Sequence, residues 1–280
     1  MLGGRGFVGS AIGRAMRARG AAVASIGRDD YRESDLASVV SATAPDVIVH
    51  AAAPPVSGSE YQWAEEASRL RALAALQIPS IVIGSAAILA GAPPDAGERY
   101  SEAAQPHPLS PYGHFKHAQE QEALALREAG WPVCVVRLFN AIGAGMKTSL
   151  MLGHLVRQIV ERERSPQLDG AIQMGDLSAY RDFCHVDDAA EAVDALARVR
   201  PLPPIVHVAS GAATLSRDLA EMAVARSSRT DIRIIENKSA GAGPARVTGD
   251  TSLLQRLTGW SARRSLSDAV EAALAAERSR

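Results

Sequence analysis

Cysteine is nearly absent: Cys134 and Cys184 are the only two in 280 residues, and they lie too far apart for a CxxC or metal-ligand pair. That excludes a disulfide framework and fits a reducing cytoplasm with both thiols buried. An excess of either charge is also lacking, since 30 Lys and Arg face 31 Asp and Glu for a net charge of −1, which gives no electrostatic reason to expect nucleic acid or an anionic membrane as partner. Long apolar runs are missing too. The most apolar stretch, Ile81 to Leu89, is bounded by Pro79 and Pro93 and carries Gly84 and Ser85, well short of the roughly 20 apolar residues of a membrane span; it is expected to be a buried strand. The N-terminus has no charged leader followed by an apolar core, so it does not read as a signal peptide. Internal repeats and low-complexity segments are absent.

What is present is the composition of a globular protein, 47% hydrophobic and 22% charged. From Gly6 to Phe139, short apolar runs (Ala22 to Ile26, Val47 to His50, Ile81 to Gly84, Val133 to Leu138) alternate with amphipathic segments. This alternation predicts βαβ units, and hence an α/β, Rossmann-like doubly wound parallel sheet with helices on both faces. After Asn140 longer helical stretches dominate: Thr148 to Glu163, Asp187 to Val199, Leu215 to Arg226 and Leu266 to Glu277. The expected organisation is a dinucleotide-binding domain over 1–140 and a smaller substrate lobe over 141–280, with some return to the first domain.

Gly3, Gly6 and Gly9 form a G-x-x-G-x-x-G run leading into a helix through Phe7 and Val8. Glycines tighten such a turn and let backbone N–H groups approach a pyrophosphate at the helix N-terminus, although a Gly-rich turn before a helix is often only a turn. A strand of about five residues normally precedes this fingerprint. Only Met1 and Leu2 do so here, so the first strand is expected to be truncated. After the second strand, Ile26-Gly27-Arg28 stands where an acidic residue would bond an NAD ribose. A small residue followed by Arg leaves room and charge for a 2′-phosphate and favours NADP over NAD; Asp29 and Asp30 just beyond argue the other way, and Arg28 also reads as a solvated loop cation.

Tyr112 and Lys116 stand at i and i+4 in Pro111-Tyr112-Gly113-His114-Phe115-Lys116 and so share one helix face. A Tyr hydroxyl serves as acid or base when a neighbouring ammonium stabilises its phenolate. Ser85 follows an apolar strand, at the sheet end where ligands bind in α/β proteins. Together with the glycine run and His50-Ala51-Ala52-Ala53, these residues resemble the extended short-chain dehydrogenase/reductase family of nucleotide-sugar epimerases, dehydratases and reductases. The resemblance spans nearly the whole chain. Asp35-Leu36 is similar to that family's pair beside the adenine ring, Arg137-Leu138-Phe139-Asn140 to the strand whose Asn contacts the sugar nucleotide, and Arg181-Asp182-Phe183-Cys184-His185-Val186-Asp187-Asp188 to its R-D-[FY]-x-H-V-x-D segment, where Arg meets a phosphate. Met174-Gly175-Asp176-Leu177, Gly249-Asp250 and Leu257-Thr258-Gly259-Trp260 look most like the branch acting on GDP-mannose derivatives, particularly GDP-6-deoxy-4-keto-mannose reductases.

The resemblance implies that Ser85, Tyr112 and Lys116 are catalytic. It further implies that Gly3, Gly6, Phe7, Val8, Gly9, Arg28, Asp35, Leu36, Ala51, Ala52, Ala53, Tyr112 and Lys116 hold the cofactor, and that Ser85, Asn140, Arg181 and Arg246 hold the substrate; the family's phosphate-binding Arg falls near Ala240, so that contact is either missing or supplied by Arg246. Dehydratases of the family place Asp-Glu after the catalytic Ser or Thr; Ala86 and Ala87 stand there. The GDP-fucose epimerase/reductases carry a Cys where this chain has Ala86. The expectation is NADPH-dependent reduction of a 4-keto-6-deoxy nucleotide sugar, GDP-linked by preference. The alternatives are a 4-epimerase with retained NAD and a non-catalytic NADP-binding sensor or scaffold. No metal is expected, since His107, His114 and His117 near Tyr112 lack an accompanying carboxylate. A homodimer through the Tyr112 helix and the preceding segment is also implied.

Overall fold

A computed structural model of the chain describes residues 1–27, 35–52, 60–92, 99–237 and 246–280. At its centre β1 (Ile48–His50), β2 (Ser80–Ile83), β3 (Val133–Leu138) and β7 (Ile205–Val208) pair in that order, all parallel. Every residue of β2 and β3 is buried, as expected of a parallel sheet covered on both faces.

Leu2 extends this sheet past β1. It bridges His50 on one side and Ile26 on the other; its N–H donates to the Val49 carbonyl at 2.9 Å and its carbonyl accepts from Ala51 N at 2.9 Å. The apolar run 22–26 forms no strand: it contributes the single Ile26 bridge, and Ala22, Ala24 and Ser25 are exposed. The Ile81 to Leu89 run likewise divides. It is a strand only to Ile83 and resumes after Gly84 and Ser85 as a 3-10 turn, Ala86–Leu89.

On one face of the sheet α1 (Phe7–Ala18) packs against α6 (Val186–Leu196), with Ile12, Met16, Val186 and Val193 in one apolar cluster that also takes in Trp260. On the other lie α2 (Leu36–Ser41), α3 (Glu60–Ala75) and α4 (Pro111–Glu128), around a cluster containing Leu2, Ile26, Leu36, Leu70 and Trp131. Burying whole side chains of this size contributes roughly 1.5–3 kcal/mol each before entropy is counted. A second core joins α5 (Met151–Arg164), α7 (Ser216–Val224) and α9 (Leu266–Arg278) to β5 (Ala171–Met174), which pairs with β9 (Arg233–Glu236). Between the cores, β6 (Tyr180–His185) pairs with β4 (Asn140–Ile142), β8 (Ala213–Leu215) and β10 (Arg246–Val247). Helix α8 (Ser252–Thr258) packs on α6 and β7. Both cysteines are free and buried, and burial pushes each thiol well above its ordinary range. Among the described residues no helix is long and apolar enough to cross a membrane.

Candidate active site

The glycine turn and the segment after β1 come together because Gly3 has no side chain. Its φ is +75°, and a Cβ there would lie 2.5 Å from Ala52 N and 2.7 Å from the Ala51 carbonyl carbon, so only glycine lets the turn lie flush on Ala51 and Ala52. Gly6 N-caps α1 with no side-chain cap, and the first turn, Phe7, Val8 and Gly9, carries no acidic residue. Among the described residues no side chain caps the N–H groups of that turn, and with the helix dipole they make a place for a phosphate-bearing group. Leu36 differs from expectation: its side chain is 1% exposed within the core around Leu2 and Ile26, leaving the exposed Asp35 and the backbone as what this corner presents. Arg28 and Ala53 lie outside the described residues.

Ser85 and Tyr112 meet through helix capping. Ser110 accepts a hydrogen bond from Gly113 N at 3.0 Å and Pro111 occupies the first turn, so the start of α4 is fixed locally. A Cβ on Gly113 would lie 2.9 Å from the Ala87 carbonyl oxygen; its absence lets α4 close onto the 3-10 turn that Ser85 caps through Ala87 N at 3.1 Å. The Ser85 hydroxyl thereby reaches the Tyr112 oxygen. Burial raises the Tyr112 pKa above its ordinary value and outweighs the hydrogen bond from Ser85, which favours the phenolate.

Lys116 lies on the same helix and is 3% exposed. Its Nζ donates to the Ile83 carbonyl at 2.8 Å and to Gln119 Oε1 at 2.9 Å. The expectation that Lys116 lowers the Tyr112 pKa is not met: the ammonium is spent on those two acceptors, and the Tyr112 shift is upward. Burial drops the Lys116 pKa to about 8, against a smaller upward pull from Glu66.

The candidate substrate residues occupy the neighbouring small sheet. Asn140 is exposed and its Nδ2 donates to the Asp182 carbonyl at 2.9 Å. Arg181 is half-buried, with Nη1 donating to the Tyr180 carbonyl at 2.9 Å. Its neighbour Asp182 accepts from Ser210 N and Oγ at 2.7 Å each, Gly211 N at 2.9 Å and Gly249 N at 3.2 Å, knotting three segments beside β6. Arg246 sits over the Tyr180 ring at 5.5 Å. In the β6–β10 register Tyr180 faces Arg246 and Arg181 faces Val247, so strand alternation puts the two arginines on opposite faces. They do not form one phosphate clamp.

Sequence reasoning missed the buried charges behind the site. Glutamates on helices are ordinarily solvated, yet Glu66 is 0% exposed and Glu120 3%. Glu120 pairs with buried Arg137 at 2.7 and 2.9 Å, while Arg137 also donates to the carbonyls of Glu102 and Ala104. Gln119, three residues after Lys116, carried a usable signal in its helix-neighbour spacing. Glu102, ahead of α4, accepts from His207 N at 3.0 Å. His185 caps α6 by accepting from Asp187 N at 3.1 Å. Among the described residues no three His, Cys, Asp or Glu side chains group as a metal site would require.

Residues 1–209 match the NAD dependent epimerase/dehydratase family. Over 96% of the chain and 92% of the relative, 28% of positions are identical to a dTDP-6-deoxy-L-talose 4-dehydrogenase (NAD(P)(+)) from Kitasatospora kifunensis. A GDP-6-deoxy-D-mannose reductase from Pseudomonas aeruginosa is 32% identical over 55% of the chain and 51% of that protein. Among solved structures, RMD from Pseudomonas aeruginosa complexed with NADPH superposes with a TM-score of 0.84 at 24% identity, covering 99% of this chain and 98% of the other. These structural likenesses establish the Rossmann-like α/β fold.

Proposed function

The chain belongs to the NAD dependent epimerase/dehydratase family, and from that premise we propose that it is an NADPH-dependent reductase of a 4-keto-6-deoxy nucleotide sugar. The observation that carries this reading is the half-buried Tyr112, its hydroxyl joined to Ser85 at the C-terminal end of β2. Its raised pKa keeps it protonated at neutral pH, the state an acid needs to deliver a proton to an oxygen gaining negative charge. Ala86 and Ala87 beside it bring no acid and base for expelling water, which sets dehydration aside.

When bound, the nicotinamide supplies the hydride that reduces the keto carbon. Ser85 hydrogen-bonds the keto oxygen and Tyr112 donates its proton to that oxygen as the alkoxide forms. Lys116 keeps a positive charge at the foot of Tyr112 and lies on the face where a nicotinamide ribose is held. The turn Gly3 to Gly6, the first turn of α1 and the Ala51–Ala52 backbone hold the pyrophosphate and the adjoining nucleotide, with Asp35 toward the adenine and Arg28 toward a 2′-phosphate. Asn140 and Arg181 orient the sugar diphosphate, and Arg246 with Tyr180 takes a more peripheral part of the nucleotide. A homodimer across α3 and α4 belongs to the same reading.

The relatives support a 6-deoxy sugar and divide on the nucleotide, one named for a dTDP-linked and another for a GDP-linked sugar. The test is NADPH consumption with GDP-linked and dTDP-linked 4-keto-6-deoxyhexoses, the GDP-linked sugar being the expected substrate. Stoichiometric oxidation of NADPH with reduction of the keto sugar to the 6-deoxysugar supports the proposal. Interconversion of C4 epimers on a retained NAD, with no net NADPH consumed, would replace it with an epimerase. Replacing Tyr112 by Phe is expected to lower turnover about 10²- to 10⁴-fold while leaving NADPH affinity in fluorescence titration unchanged.

A further inference from the structure

Behind the two hydroxyls lies a closed set of charged groups that the chemistry above leaves unused. Glu66, on α3, is wholly buried and accepts three hydrogen bonds: from His50 Nε2 at the end of β1 at 2.7 Å, from Gln119 Nε2 on α4 at 2.5 Å, and from Arg69 one turn along α3. The other end of the Gln119 amide, Oε1, accepts from Lys116 Nζ, whose further acceptor is the Ile83 carbonyl of β2. A primary amide donates only from nitrogen and accepts only at oxygen. Glu66 on one side and Lys116 on the other therefore fix Gln119 in a single orientation. Among the described residues, His50, Arg69, Gln119 and Lys116 are the polar and charged groups facing this carboxylate from β1, α3 and α4; α2, which packs on α3, carries no charged residue.

We infer that Glu66 is a positioning residue, the counter-charge that acts through Gln119 to keep Lys116 an ammonium aimed at one place beside Tyr112. The inference rests on the reductase reading for its use, since Lys116 matters to turnover only if that reading holds. The electrostatics agree. Burial alone drives the lysine toward neutrality, and Glu66 opposes it. Glu66 itself is held to about 2 by His50, Arg69 and Gln119 despite its burial, so its charge is constant over the working pH range.

Lys116, Lys147 and Lys238 are the only lysines, so the side chains of lysine-labelled protein give few NMR signals, and the Lys116→Arg variant identifies that of Lys116. The titration midpoint of this signal needs neither cofactor nor substrate. In Glu66→Gln it is expected to fall by about one pH unit, corresponding to ~1.4 kcal/mol of lost charge stabilisation. In Glu66→Gln combined with Gln119→Glu, which moves the carboxylate next to Nζ, it should return to the wild-type value or pass above it. The double variant retains one carboxylate and one amide in this pair, so it covers the case in which Glu66→Gln fails to fold, and there the midpoint should stand above the wild-type value. A Lys116 midpoint indifferent to these charge changes would overturn the inference. If the midpoint moves as expected but no 4-keto sugar is reduced by the wild-type protein, the counter-charge role stands and the reductase reading falls. Where both hold, the basic limb of kcat/KM shifts with the midpoint, and the double variant brings it back.

Discussion

At the residue scale, Lys116 sets opposite demands on activity and stability. Its folded pKa of about 8 lies below the 10.5 of the free side chain, so the unfolded chain binds this proton more tightly than the folded one. Between those two values stability rises with pH, because the cost of holding a buried ammonium is relieved as the proton leaves. Turnover should move the other way and fall above about pH 8, where the ammonium is lost. Measuring kcat/KM and the urea midpoint side by side over that range checks both directions. The residues of this site differ in how visible they were. Ser85, Tyr112 and Lys116 announce themselves because their chemistry needs specific side chains at specific spacing. Glu66 does not: a glutamate in the amphipathic stretch before Pro79 reads as a solvated face, and only the packing of α3 on α4 and β1 turns it inward.

At the element scale, α4 carries Tyr112 and Lys116 and is fastened by the Glu120–Arg137 pair, whose side chains are 4% and 3% exposed. Removing one partner of such a pair strands a buried charge. Glu120→Ala is expected to lose about 3–5 kcal/mol in urea unfolding. Because Arg137 also ties the carbonyls of Glu102 and Ala104, the loop ahead of α4 should become easier to proteolyse. The elements themselves were legible where burial and pairing agree. Val133 to Leu138 was predicted and forms with the same ends; α5 (Met151–Arg164), α6 and α9 fall within about three residues of their apolar periodicity. The run 22–26 misled because apolar character records burial tendency, whereas a strand also needs a neighbour long enough to pair with. For Arg181 and Arg246, motif similarity places the residues along the chain, and only register assigns each to a face.

At the scale of the whole molecule, a dimer across α3 and α4 would bring two copies of the site's supporting helices together. Trp63 and Phe115, one on each helix, already meet edge to face at 6.1 Å and remain partly exposed, giving that surface an apolar element. Sedimentation of the purified chain should give the mass of two copies, and a single-copy mass at all concentrations would remove the dimer from the proposal. Phe7 has a different reach. It is the first residue of α1, directly after the glycine turn, and it packs against both the sheet core and the core of α5, α7 and α9. A ligand that stills the turn also stills this wedge. Amide hydrogens in the distant core should then exchange more slowly once the dinucleotide is bound, so that occupancy at one end of the molecule is felt as rigidity at the other.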